Sequence, residues 1–263
     1  MAVKKRIGKH TIVCYSSVQD PVGLLRTLAD APVIPGKGRG GIRIIEIDGR
    51  KLVARQYTHG GLFRMFTGDR FIGGRRATAE AEITEYLHHT GFPIVKPFCV
   101  VEERRALTSR LYLITFLEEG AADLVARIGE SSSKQRLRIA RELGESFWQL
   151  ERAGVFHRDL HLRNVIAATD GRLVFLDFDR ACRKAVGRKD MLWMFKRLGR
   201  FVEKIESQGE LSVTGLEKAE FLRAYARLSG YDATAELTES TDRNGLRHRI
   251  GWLIESLLYG KRK

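Results

Sequence analysis

Two short segments of the chain carry residue types able to do chemistry. His157-Arg158-Asp159-Leu160-His161-Leu162-Arg163-Asn164 places a carboxylate, two imidazoles and an amide within one loop-sized run, and Leu173-Val174-Phe175-Leu176-Asp177-Phe178-Asp179 puts carboxylates at the end of an apolar strand. Asn164 stands five positions beyond Asp159, and Asp177 eighteen beyond it. Phosphoryl transfer needs such a set: a base for the proton of an attacking hydroxyl, hard oxygen ligands for metal, and a frame that holds the groups in line. Asp159 fits the catalytic base, while Asn164 and Asp177 fit the ligands of Mg2+.

The elements that must position these groups are legible around them. Asp170-Gly171 reads as a turn that folds the two segments back on each other as a hairpin. His157 reads as a structural residue that packs against Phe178 and orients the loop. Arg158 reads either as a loop support or as an exposed side chain. His161 suits a contact with metal-bound phosphate or the acceptor, and equally a satisfied structural role. Asp190, ahead of Leu192 and Trp193, can hold the loop from below or cap its own helix.

Upstream, Gly36-Lys37-Gly38-Arg39-Gly40-Gly41 precedes a hairpin made of Ile42–Ile47, a turn at Asp48-Gly49, and a strand over 51–57. Gly36, Gly38 and Gly40 would let backbone amides approach the phosphates of ATP, with Lys37 and Arg39 adding charge. The phosphotransferase pattern next asks for a lysine after Val-Ala, and Val53-Ala54 is followed by Arg55 instead. Its expected partner is Glu80, with Glu82 and Glu85 as alternatives, on a helix over 77–90 that Gly91 stops.

Strands over 97–102 and 111–117 around a basic turn at 103–110 complete an antiparallel sheet, and the break at Glu118-Glu119-Gly120 offers backbone groups to adenine. Beyond it the periodicity turns helical. Ser133 is the expected cap of a helix carrying Leu137, Ala140, Leu143 or Gly144, Phe147 and Leu150, and further helices are expected over 190–205, 216–228 and 247–258. The expected fold is α+β: a small antiparallel-sheet lobe over 1–120 that binds nucleotide, and a larger helical lobe over 121–263 for catalysis and substrate.

Composition bounds the partners. With 263 residues, 43% hydrophobic and 30% charged, the chain is a soluble globular protein, and 46 Lys+Arg against 32 Asp+Glu leave a net charge of +14. That charge suits an anionic partner: phosphorylated substrate, anionic membrane surface or nucleic acid. No run approaches the length of a spanning helix, so membrane contact is expected to be peripheral. Cys14, Cys99 and Cys182 form no metal or disulfide pattern, which points to a reducing cytoplasm.

Three stretches together resemble the lipopolysaccharide kinases of the protein-kinase-like superfamily, over a region from Gly36 to Leu198. They are Val53-Ala54-Arg55-Gln56-Tyr57-Thr58-His59-Gly60-Gly61-Leu62, Gly91-Phe92-Pro93-Ile94-Val95-Lys96-Pro97, and the segment from His157 to Asp179. The Asp-Leu-His-x-x-Asn form of the loop is more similar to small-molecule and lipid kinases than to protein kinases. Within the family the likeness is greatest to the branch that acts on 3-deoxy-D-manno-octulosonic acid (Kdo), in which arginine is tolerated at the position of Arg55.

The resemblance implies a bilobal kinase-like fold, use of ATP and Mg2+, and a Kdo-lipid A precursor as acceptor. It also implies a peripheral place on the cytoplasmic face of the bacterial inner membrane. The residues add two observations of their own. The segment between Asp179 and Asp190 is short and holds no Ala-Pro-Glu, which disfavours a protein acceptor. The basic segment 64–76, with Leu62, Phe63, Met65, Phe66 and Phe71 interleaved, suits either anionic headgroups or an ordinary insertion. A core heptose, another small molecule or a protein remains an alternative acceptor. A basic pseudokinase or nucleic-acid scaffold is disfavoured because Asp159, Asn164 and Asp177 are all kept.

Overall fold

The computed structural model describes residues 2–35, 41–58, 71, 75–106 and 108–237. The expected helix over 247–258 and the glycines at 36, 38 and 40 lie outside the described residues. The described chain divides into two compact units. The first runs to Glu119 and includes Asp177–Asp179, and the second holds the rest from Gly120.

The first unit is built on a six-stranded antiparallel sheet. Its strands are β1 (Val3–Ile7), β2 (His10–Cys14), β3 (Ile42–Ile47), β4 (Arg50–Gln56), β5 (Pro97–Arg105) and β6 (Thr108–Phe116), in the order β1-β2-β5-β6-β4-β3. Asp48 and Gly49 turn β3 into β4 with φ of 52° and 69°, the left-handed pair that a two-residue hairpin turn requires. On one face Leu24 and Leu28 of α1 (Pro21–Asp30) join Ile12, Ile45, Leu52 and Ile114. On the other, Ala77 and Ala81 of α2 (Arg75–His89) join Tyr57, Val100, Leu111 and Leu113. Side chains alternate along a strand, so Leu52 and Ala54 serve the α1 face while Arg55 and Tyr57 share the α2 face.

The hairpin of β1 and β2 and the helix α1 add to the elements expected from the sequence, and one expectation needs correction. The basic turn expected over 103–110 shrinks to the link between Arg105 and Thr108, because both strands run further. Glu102 accepts a hydrogen bond from the Ser109 hydroxyl at 2.7 Å, and Glu103 pairs with Lys9 at 2.7 Å and Arg105 at 3.1 Å, so these charged residues extend the ladder.

In the second unit, β7 (Ala122–Asp123) leads into α3 (Leu124–Glu130) and α4 (Ser133–Arg152). The cap of α4 is Ser132, one residue earlier than expected, because its backbone N–H reaches the Gln135 side chain at 2.9 Å, the spacing of a capping box. The strands β8 (Val155–His157), β9 (Val165–Ala167), β10 (Leu173–Phe175) and β11 (Ala181–Arg183) follow, with β9 paired to β10 and β8 to β11. Then come α5 (Arg188–Ser207) and α6 (Gly215–Ser229).

The centre of this unit is aromatic. Phe147 of α4 lies 5.7 Å from Phe195 of α5 and 5.1 Å from Phe221 of α6, and Tyr225 meets Phe195 at 4.9 Å. Gly144 lets α4 and α6 come close, since a Cβ there would stand 2.3 Å from the Phe221 carbonyl oxygen.

Two glycine-to-alanine changes should therefore move stability in opposite directions. Gly199 of α5 is exposed with nothing within 4 Å of a built Cβ, so Gly199→Ala should add about 0.5–1 kcal/mol. Gly144→Ala gains the same helix propensity but meets a backbone oxygen that cannot swing away, and overpacking of about 1–3 kcal/mol should leave it a net destabiliser. Chemical denaturation of both variants checks the pair, and equal shifts would show that α4 and α6 do not meet at Gly144.

Candidate active site

The loop that carries Asp159 runs from the end of β8 to a short 3-10 turn at Leu162–Asn164. Asp159 is held at three points. Its backbone N–H donates to Nδ1 of His157 at 3.0 Å, its carbonyl accepts from Nδ2 of Asn164 at 3.1 Å, and its Oδ1 accepts from Nε of Arg197 at 2.8 Å. His157 is thus a loop-orienting residue, buried at 1% exposure, whereas the Arg158 side chain is exposed. His161 stacks on Phe201 of α5, with ring centroids 4.5 Å apart at 14°, so packing is the role the structure gives it.

Asn164 has a fixed orientation. The atom facing the Asp159 carbonyl must be a donor, so the amide nitrogen lies there and the oxygen remains for another partner. Its own carbonyl accepts from the Leu176 N–H at 2.8 Å, which ties the loop to the end of β10. Gly171, with φ of 85°, makes the β9–β10 turn where Asp170-Gly171 predicted one.

The first unit gathers a second set of charges around Glu80 of α2. Glu80 is buried, its side chain 2% exposed, and takes Nη2 of Arg55 at 2.6 Å, the Tyr57 hydroxyl, and the Phe178 N–H at 3.1 Å. Nη1 of Arg55 reaches Oδ1 of Asp177 at 3.0 Å. Arg76 grips Asp179 with two nitrogens, Nε at 2.6 Å from Oδ1 and Nη2 on Oδ2. Both guanidinium groups lie over the Tyr57 ring, Arg55 at 4.8 Å and Arg76 at 5.4 Å from its centroid.

Burial pushes the Glu80 carboxyl above the usual carboxylate range, against the pull of Arg55. Burial acts downward on Arg55, and the carboxylates of Glu80 and Asp177 more than reverse it, so the guanidinium stays charged. Burial and the Glu80 charge raise Tyr57 well above its ordinary value, which keeps the phenol protonated as a donor. Asp177 has φ of 57°, the left-handed conformation that aspartate tolerates better than most residues and that often marks functional positions.

Arg55 pairs with Glu80, the expected partner, rather than with Glu82 or Glu85. Tyr57, Arg76 and Arg197 were not singled out. Arg76 and Phe71 belonged to the segment considered for headgroup contact, but Arg76 pairs with Asp179. Phe71 is buried at 7% exposure and exchanges backbone hydrogen bonds with Ser109 at 2.8 Å. Asp190 accepts from the Gly187 N–H at 3.2 Å and pairs with Lys184 at 2.6 Å, so it caps its helix. Arg197, seven residues on and therefore on the same helix face, is the residue that holds the loop. A cation two turns beyond Asp190 was the available signal.

In the first unit Asp177 offers a carboxylate 46% exposed, and in the second Asn164 offers an amide oxygen; each is a hard oxygen donor of the kind Mg2+ takes. The antiparallel sheet unit with its arginine–glutamate pair, and the helical unit with its anchored aspartate loop, define a kinase-like fold, the class of the phosphotransferases.

Comparison with known proteins narrows the class. The profile of the Lipopolysaccharide kinase (Kdo/WaaP) family matches residues 26–225, and the chain belongs to that family. It is similar to the 3-deoxy-D-manno-octulosonic acid kinase of Vibrio cholerae, 26% identical over 198 residues covering 74% of this chain and 80% of the relative. It is also similar to the enzyme of the same name from Stenotrophomonas maltophilia, 27% identical over 198 residues, 72% of this chain and 76% of the relative. With that of Vibrio parahaemolyticus it is 25% identical over 151 residues, 56% of this chain and 62% of the relative's length.

A double-mutant cycle tests the Glu80 network. Tyr57→Phe should cost about 1.5–3 kcal/mol, the range for a hydrogen bond to a charged group. Glu80→Gln should also destabilise. The two together should cost less than their sum by at least about 0.5 kcal/mol, because they share one bond. Urea unfolding measures all three variants, and strictly additive losses would show that the bond contributes nothing.

Proposed function

We propose that this chain transfers the γ-phosphoryl group of ATP to a hydroxyl of the Kdo sugar on a lipid A precursor. The observation that carries the reading is the three-point hold on Asp159, which fixes a half-exposed carboxylate in a loop of the phosphotransferase pattern. The choice of Kdo rests on the names of the relatives and on the absence from the sequence of an Ala-Pro-Glu segment for docking a peptide.

In this reading Asp159 accepts the proton of the acceptor hydroxyl as its oxygen bonds to the γ-phosphorus. The bond from that phosphorus to the bridging oxygen breaks, and ADP leaves. Arg55 presents a planar cation to phosphate oxygens, and Glu80 keeps that cation in place. Asn164 and Asp177 would hold Mg2+, which supplies neutralising charge to the phosphates when bound. Gly36, Gly38 and Gly40, outside the described residues, would let backbone amides approach the phosphates. The sheet unit, to Glu119 and with Asp177–Asp179, serves nucleotide, and the helical unit from Gly120 serves catalysis and acceptor.

The net charge of +14 supports attraction to an anionic membrane surface, and no helix among the described residues is long and apolar enough to cross a membrane. Peripheral association with the cytoplasmic face of the inner membrane is the arrangement that brings enzyme to a lipid-borne acceptor.

The test is direct. Purified protein with ATP, Mg2+ and Kdo-lipid IVA should add one phosphate to the lipid by mass spectrometry, and Asp159→Ala should slow the reaction about 100- to 10,000-fold, the contribution of a positioned base. An inactive wild type would overturn the acceptor assignment, and an undiminished Asp159→Ala rate would overturn the base. Phosphorylation of a core heptose in place of Kdo would move the assignment to that sugar.

A further inference from the structure

Three residues of α5, four apart and so on one line of the helix, contact the Asp159 loop or the strand that leads into it. Trp193 meets Phe156 edge-on with centroids 5.5 Å apart, Arg197 binds the Asp159 carboxylate, and Phe201 stacks on His161 at 4.5 Å. The outer two contacts are ring packing, which fixes where the loop lies. The middle one places a charge on the group that takes the proton.

How that charge is placed matters more than its sign. Nε and Nη2 of Arg197 both converge on Oδ1 of Asp159. Oδ2 has no protein partner among the described residues. The same chain contains the opposite arrangement: Arg76 meets Asp179 with one nitrogen on each carboxylate oxygen, which closes both. An end-on arginine restrains the carboxylate while leaving one oxygen to accept from a hydroxyl.

We infer that Arg197 is a positioning residue for phosphoryl transfer, which holds Oδ1 of Asp159 so that Oδ2 faces the acceptor hydroxyl. The inference rests on the reading of Asp159 as the base and adds what aims it. Phe195, packed among Phe147, Phe221 and Tyr225, fixes the rotation of α5 and with it the direction of Arg197. A misplacement of about 1 Å can cost on the order of 100-fold in rate.

The experiment compares Arg197→Met, Arg197→Lys and Arg197→Ala with wild type, measuring kcat and KM for ATP and for Kdo-lipid IVA, with a thermal melt for each. Arg197→Met keeps the packed stem and should lower kcat about 10- to 100-fold with both KM values within about threefold. Arg197→Lys, with one ammonium in place of two converging N–H groups, should recover part of the loss. Millimolar guanidinium should raise the kcat of Arg197→Ala, a response that a purely structural role would not give. In the Asp159→Ala background, Arg197→Met should cost nothing further.

A wild-type kcat in Arg197→Met would overturn the inference, as would a raised acceptor KM with kcat unchanged, which would make Arg197 an acceptor-binding group. An equal further loss in the Asp159→Ala background would also overturn it. An inactive wild type, or an Asp159→Ala variant at full rate, would instead strike the reading of the base itself.

Discussion

The first unit depends on satisfying one buried carboxylate. Taking an ion out of water costs several kcal/mol, and Glu80 must recover that from partners within reach. It finds three: the Arg55 guanidinium from β4, the Tyr57 hydroxyl just past that strand, and the Phe178 N–H from the Asp177–Asp179 segment. Each partner constrains its element. Arg55 and Tyr57 must point to the α2 face, which sets the parity of β4, and a one-residue slip would turn both away. Phe178 must present its amide, and the residue before it, Asp177, lies in the left-handed region. The expected metal ligand thus stands next in the chain to a residue that satisfies Glu80.

The second unit solves a different problem, the holding of an irregular loop. Segments without regular pairing need side chains and backbone atoms from elsewhere to fix them. Here α5 supplies a line of side chains at one-turn spacing, and the aromatic centre holds α5. Asn164 then spans the loop from inside, donating to the Asp159 carbonyl while its own carbonyl takes the Leu176 amide. The carboxylate is left half exposed at the end of this chain of supports.

Much of this was legible in the sequence, for identifiable reasons. The loop and the second aspartate were readable because short spacing limits geometry: a turn between two apolar strands leaves little choice of fold. Arg55 was readable from its place after Val53-Ala54, and Glu80 from helix spacing. The hairpin of β1 and β2 was not, because Val3-Lys4-Lys5-Arg6-Ile7 has the composition of a basic tail and serves as a charged edge strand. The helix α1 was missed although Asp20 before Pro21 is a strong start signal, with Asp20 Oδ1 accepting from Gly23 at 2.8 Å. Arg197 and Arg76 were missed because long-range ion pairs carry no periodic signature.

The departure from lysine at position 55 now has a physical account. A lysine ammonium is a compact point charge that cannot lie flat on a ring, whereas a guanidinium is planar and presents nitrogens in a fixed fork. Arg55 uses this shape: Nη2 spans both oxygens of Glu80, Nη1 reaches Asp177, and Cζ lies 4.8 Å from the Tyr57 ring centroid. Tyr57 in turn donates to Glu80. The Arg-x-Tyr spacing is thus one unit, two side chains on the same face of a strand that together satisfy a single buried carboxylate. Arginine suits the network in which it sits, because one rigid fork meets Glu80 and Asp177 while its carbon centre lies over the Tyr57 ring.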